Sequence, residues 1–158
     1  MITDHYNVNL EVIDEATCWR LLVRAAFGRI AFFYADQLHV LPVNAAVKGG
    51  RVILRVPEGS LIAAAGNGAM VAFESDEIDR SVESGWSVLV RGPMWDVTDT
   101  PATAAWHELT VRTWAPGGRG RWMCIEPTTV TGRILTRQRV LNHPADLADA
   151  SASTDRSD

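Results

Sequence analysis

Apolar positions change period several times along this chain, and each change marks an element. Residues 1–13 read as a short lead-in, and Asp14 then predicts a helix N-cap with Glu15 well placed in the first turn. Cys18, Leu21, Leu22 and Ala25 recur at spacings of three and four, one apolar stripe on a helix expected to run to about Ala26, with Gly28 as its stop. From Arg29 the period becomes that of strands. GRIAFFYA is the first, Asp36-Gln37 its turn, and QLHVLPVNAAV the second, with Pro42 expected at an edge, a bulge or a break that faces a ligand. Lys48-Gly49-Gly50 turns the chain into RVILRV, where Val52, Leu54 and Val56 share a face. Pro57-Glu58-Gly59 breaks that strand, and Ser60 caps a short helix, SLIAAAG, that stops at Gly66.

The second half repeats the theme. AMVAFES is a fourth strand, followed by an acidic loop from Glu74 to Asp79 that reaches Gly85. WSVLVRGPMWDVT is a long fifth strand with a bulge or kink expected at Gly92-Pro93. Pro101 opens a helix to about Val111, RTWAPGGRGR is a loop, and WMCIEP and TTVTGRILTRQ are the last strands. Beyond about Val140 the sequence turns small and polar, so 140–158 is read as a disordered tail after a single domain at 14–139. Strands joined by hairpin turns, with only short helices between them, point to an antiparallel barrel rather than βαβ units.

Composition narrows the function classes. The chain has 158 residues, enough for one self-sufficient core, and a net charge of −4 that argues against nucleic acid and anionic membranes as partners. No apolar run is long enough to span a bilayer, and MITDHYNVNLEVIDE lacks the basic start and apolar stretch of a secretory signal. Cys18 and Cys124 suggest no disulfide framework, so a cytoplasmic setting is expected. Six tryptophans, Trp19, Trp86, Trp95, Trp106, Trp114 and Trp122, offer large packing surfaces or, for one or two of them, a border to a flat ligand.

No catalytic signature stands out. GxSxG, GK[ST] and HExxH motifs are missing, and His5, His39, His107 and His143 are isolated, so neither a nucleophilic centre nor zinc is expected. Glu74, Asp76, Glu77 and Asp79 lack the alternation of a calcium loop. Three features remain. Arg55 at a strand end and Ser60 at a helix start could hold a phosphate, or Ser60 could simply cap. Gly85, Trp86 and Ser87 could let backbone approach a flat ring, or Trp86 could be an ordinary core residue. Arg112, Arg119 and Arg121, with Trp114 and Trp122, could contact phosphate or carboxylate, or could form a plain surface loop.

These segments occur in a familiar order. GRIAF, the strand with LPVN, LRVPEGSLIAAAGNGAMVAFE, GWSVLVRGPMWDVTD, WAPG with Trp122, and IEPTTVTGRI together resemble the pyridoxamine 5′-phosphate oxidase-like superfamily. The likeness covers roughly residues 11 to 135 and is greatest to the short bacterial branch related to nitroimidazole-resistance proteins. It implies an FMN-binding split barrel, a cytoplasmic homodimer with two sites at its interface, and a flavin-dependent oxidoreductase acting on a small planar substrate. Pro42, Val43 and Asn44 would then run along the flavin ring, with Arg55 and Ser60 at the phosphate. Trp86 and Ser87 would close one side, in part from the partner, and Arg119, Arg121 and Trp122 would face ligand or substrate. Relatives commonly carry lysine where Leu61 stands; losing that contact costs ~1.5–3 kcal/mol. Deazaflavin, haem or no cofactor, and hence a binding module without enzymatic activity, are the alternatives. True pyridoxamine-phosphate oxidation ranks last, because the sequence displays no further basic cluster for a second phosphorylated ligand.

Overall fold

A computed structural model describes residues 6–25, 27–106, 108–109, 111 and 120–139. Its strands are β1 (Tyr6–Ile13), β2 (Phe27–Tyr34), β3 (Gln37–Lys48), β4 (Arg51–Pro57), β5 (Ala69–Asp79), β6 (Ser84–Asp96), β7 (Gly120–Ile125) and β8 (Thr129–Arg139). Two α-helices, α1 (Glu15–Arg24) and α2 (Leu61–Ala65), and a 3₁₀ turn at Pro101–Ala105 complete it. All strand pairs are antiparallel, in the order β1-β8-β6-β5-β2-β3-β4-β7, and an added β6–β7 pairing closes six of the strands into a barrel. β8 and β1 lie outside that ring as an arm. The fold is thus an antiparallel barrel, as the strand pattern predicts, and a split one, as the family resemblance implies.

The split originates in β6. One edge of β6 pairs with β5 throughout, from Ser84 to Met94. Its other edge pairs with β8 from Gly85 to Arg91 and then with β7 from Met94 to Asp96. Gly92 and Pro93 sit at the changeover, where Glu126 N–H donates to the Pro93 carbonyl at 3.0 Å and Thr128 N–H to the Arg91 carbonyl at 2.8 Å. The β5 register runs through Gly92 and Pro93 without an extra residue, so the expected bulge is instead a fork. A Cβ on Gly92 would lie 1.9 Å from the Glu126 carbonyl oxygen, so the fork requires glycine.

The core follows the period of the strands. Ile30, Phe32, Val52, Leu54, Val56, Phe73, Val88, Val90, Met94, Met123 and Ile125 fill the barrel, each at most 2% exposed. α1 places Cys18 and Leu22 against this core. Asp14 accepts from Thr17 N–H at 2.7 Å, the cap expected from sequence. The short helix α2 is capped by Ser60, which accepts from Ala63 N–H at 3.3 Å. A second cluster lies on the outside of the barrel wall: Ile53, Trp122 and Cys124 packed under Trp106 and Val111. Residues 97–106 cross the wall as a strap, held by Lys48 Nζ donating to the Ala105 carbonyl at 2.7 Å.

Several expectations need correction. Tyr6–Ile13 is not a lead-in but the strand β1, registered on β8 from Tyr6↔Arg139 to Ile13↔Gly132. The acidic stretch is not a loop: β5 continues to Asp79 because β6 supplies its partners down to Ser84. Gly28 does not stop α1, which ends at Arg24; it lies inside β2 against the Phe73 ring. The β2–β3 turn is Ala35-Asp36, both with positive φ, one residue before the expected position. Pro101 opens one 3₁₀ turn rather than a longer helix. The stretch expected to be a tail, 140–158, lies outside the described residues.

Candidate functional site

Antiparallel register decides which of the singled-out residues can act together, since directly opposed residues share a face. Arg55 on β4 stands across from Trp122 on β7. The β3–β4 ladder ends at Ala45↔Leu54, and one further step sets Asn44 across from Arg55. Asn44, Arg55 and Trp122 therefore form one row over three adjacent strands on the outer wall. Pro42 is two residues along β3, exposed and beyond the β4 ladder, where its missing N–H leaves no β4 bond unmade. Val43, by contrast, points into the barrel and is 8% exposed, so it supports the row without presenting a side chain to a ligand.

The row is built around a stacked arginine. The Arg55 guanidinium lies 5.2 Å from the centre of the Trp122 ring. Gly120, opposite Pro57, makes room for it: a Cβ there would meet Arg55 Nε at 2.7 Å. No carboxylate among the described residues lies within ion-pair distance of Arg55. Trp122 is 4% exposed and packs at 6.4 Å from Trp106, which fixes the indole beneath the cation. An exposed guanidinium held by an aromatic face, with an amide beside it, suits an anionic or flat polar group. Ser60 and Leu61 follow β4 directly. The Ser60 hydroxyl caps α2, and Leu61 is 41% exposed where a lysine would reach outward.

Arg121 does something else. Its Nε donates to Asp96, and its two terminal nitrogens lie 3.8 Å from Glu58 and 4.0 Å from Asp99. Three carboxylates thus occupy the side chain expected to face ligand, and it ties the end of β6 to the turn before α2. Thr98 reinforces the tie: its N–H and hydroxyl donate to Asp96, and its oxygen accepts from Trp122 N–H at 2.9 Å. Burial works against ionisation of Asp96, but the hydrogen bonds from Arg121 and Thr98 outweigh it and hold its carboxyl below the ordinary 3.8. Its contribution to stability is therefore complete above that ordinary value and is lost as the pH falls through the lower folded one. Asp96→Asn is expected to lower stability at neutral pH and to flatten the decline of the urea midpoint below about pH 3.8. An acid limb of unchanged slope would show that other carboxylates govern it.

Trp86 and Ser87 lie elsewhere. They sit on the part of β6 paired with β8, and ~30 Å of extended strand separates Ser87 from Asp96. Trp86 is half-buried against the core, and its indole N–H donates to Glu77 at 3.3 Å. The register sets Ser87 three strands away from Asn44, with β5 and β2 between them. Arg119 lies outside the described residues.

Sequence reading passed over the face of the arm. Arg133, Arg91, Leu10 and Leu135 share it with Ser87, and Arg29 bridges Glu74 at 3.2 Å and Asp76 at 3.5 Å beside it. Nothing in the spacing of these residues announces them, because strand pairing alone gathers them. Among the described residues no three His, Cys, Asp or Glu side chains are gathered as a metal site, and no helix is long and apolar enough to cross a membrane.

Comparison with known proteins follows the same lines. The family profile of pyridoxamine 5′-phosphate oxidase matches residues 14–134, from the α1 cap to β8. The chain belongs to that family. This family member is 33% identical over 133 residues to an uncharacterized protein of Mycobacterium tuberculosis, covering 80% of this chain and 87% of the relative. It also resembles the FAD binding protein from Mycobacterium smegmatis, with 32% identity and a TM-score of 0.68 over 82% of this chain and 100% of that one. An FAD-binding protein from Mesorhizobium loti, 18% identical, has a TM-score of 0.63 over 82% of this chain and 99% of that one, which speaks for the fold alone.

Proposed function

We propose that this member of the pyridoxamine 5′-phosphate oxidase family is a flavin-dependent oxidoreductase that works as a homodimer on a small planar substrate. The observation that carries the reading is the division of the site. The Asn44–Arg55–Trp122 row lies on β3, β4 and β7 and the Trp86–Ser87 stretch on the part of β6 paired with β8, yet both offer what a flat anionic cofactor needs. A second copy would bring the two halves together. The exposed Phe33, Leu38, Val40 and Met70 on the outer wall provide apolar surface for such an association.

Of the flavins, FAD fits better than FMN. Leu61 removes the charge expected to hold a terminal phosphate, and the Mycobacterium smegmatis relative is an FAD binding protein. When bound, the flavin supplies the electron-transfer chemistry. Arg55 offsets the negative charge of the ligand, Asn44 offers it an amide, and Trp122 keeps Arg55 in place. The exposed Leu61 also favours a second reading, in which the barrel binds an altered cofactor such as deazaflavin or haem, or acts as a binding module without turnover.

Fluorescence titration of the dialysed protein with FAD and FMN tests this. FAD is expected to bind more tightly than FMN, and Arg55→Gln to weaken FAD about tenfold to a hundredfold, the worth of one charge-assisted contact. Leu61→Lys should tighten FMN about tenfold. If neither flavin binds, or if light scattering finds a monomer with full affinity, the two-subunit flavin site is wrong. Bound flavin that no reductant or substrate turns over would favour the binding module.

A further inference from the structure

Two cavities on the face of the arm meet at Ser87 and Arg133. The first, about 290 Å³, is lined by Leu10, Ile78, Trp86 and Leu135, so its wall is almost wholly apolar. The second, about 500 Å³, runs along β6 and β8 past Leu89 and Thr131 to Arg91. The register explains the line. Ser87 stands across from Arg133, Leu89 from Thr131 and Arg91 from Thr129, so these side chains share the outer face in successive rows. Both cavities fall near the size range of small-molecule sites.

Charge distinguishes this groove from an ordinary polar surface. Neither Arg91 nor Arg133 has a carboxylate within ion-pair distance among the described residues, whereas Arg51 and Arg137 each have one, Arg29 two and Arg121 three. Glu74 also lines the groove, but Arg29 holds it and Asp76. The acids within reach are therefore engaged, and two exposed guanidinium groups flank hydroxyls from Ser87 and Thr131. The sequence displayed no basic cluster for a second ligand; strand pairing assembles one from two motifs that are far apart in the chain.

We propose that this groove binds an organic acid: an apolar or aromatic body against Ile78, Leu10 and Leu135, and a carboxylate or phosphate at Arg133 and Arg91. Guanidinium groups fit both oxyanions, so the chemistry is shared between them. The groove shares Trp86 and Ser87 with the second half of the proposed flavin site, but it includes none of the Asn44–Arg55–Trp122 row.

The test uses three probes of one shape, 2-naphthoate, 2-naphthyl phosphate and the neutral 2-naphthalenemethanol, followed by NMR of the Leu10 and Leu135 methyl and arginine Nε–H signals. Saturable binding of at least one acid is expected, with shifts at Leu135, Arg133 and Arg91 and an affinity at least tenfold above that of the alcohol. Preference between the two acids identifies phosphate or carboxylate as the natural group. Arg133→Gln and Arg91→Gln should each weaken the acid about tenfold. Arg133→Lys should lose less, and Arg55→Gln should change nothing. Equal binding of acid and alcohol, no saturable binding, or indifference to both glutamine variants would overturn the proposal. So would one-for-one displacement of the acid by FAD, which would give the groove to the cofactor. Loss of FAD binding in Arg55→Gln with the acid still bound, or the reverse in Arg133→Gln, tells the two sites apart.

Discussion

Replacing Gly92 with alanine is expected to destabilise the protein by roughly 2–4 kcal/mol, although it adds a single methyl group. The added Cβ would fall 1.9 Å from the Glu126 carbonyl oxygen, 2.8 Å from its carbonyl carbon and 3.1 Å from the Pro127 Cα. All three are backbone atoms, so no rotamer change relieves the clash. One of two strand pairings must give way: β7 loses its hold on the end of β6, or β8 loses its start. The hydrogen bonds at risk are those from Glu126 to Pro93 and from Thr128 to Arg91, which secure the fork. Urea denaturation measures the effect, with Val82→Ala, at a side chain 55% exposed, as the control. A loss under ~0.5 kcal/mol, the range of neutral surface changes, would mean that the strands do not approach so closely.

The second large effect concerns Trp122. Truncation to alanine is expected to cost ~3–5 kcal/mol, because the indole is 4% exposed and joins Ile53, Trp106, Val111 and Cys124 in the outer cluster. The same residue supports Arg55, so stability and ligand affinity must be separated. Trp122→Leu keeps apolar volume under the strap but removes the aromatic face beneath the guanidinium. It should cost about 1–3 kcal/mol of stability and loosen FAD about fivefold or more, the order of a partly desolvated cation–π contact. Trp106→Leu should weaken the cluster without loosening FAD. Equal FAD affinity in the two leucine variants would remove Trp122 from the ligand site and leave it a purely packing role.

How far the sequence could be read depended on whether an element declares itself locally. Asp14 and Ser60 announce helix starts because their side chains bond amides three residues on. RVILRV announces a strand because its apolar side chains are buried. The acidic part of β5 does not, since its charges look like a loop until β6 is known to lie alongside. β1 fails for a similar reason. Val8, Leu10 and Val12 alternate correctly, but they are 56–79% exposed and only the distant β8 holds them. At the site, residue types singled out Arg55 and Trp122, which the register then sets opposite each other, whereas the fate of Arg121 depended on Asp96, Glu58 and Asp99 converging from other elements. The Arg91–Arg133 groove is a product of register alone.

The arm also bears on how the chain is made. β1 leaves the ribosome before every other described strand, and its partner β8 leaves last, since Tyr6 pairs with Arg139. An extended segment carrying Val8, Leu10 and Val12 must therefore wait through synthesis of the whole barrel before its hydrogen bonds are met. During that interval it is an open edge, the kind of surface that recruits other chains. Asn7, Asn9 and Glu11 alternate with the apolar residues, so the segment keeps a polar side while it waits. Closure of the barrel needs neither β1 nor β8, so the rest of the molecule can be complete by the time the arm zips shut.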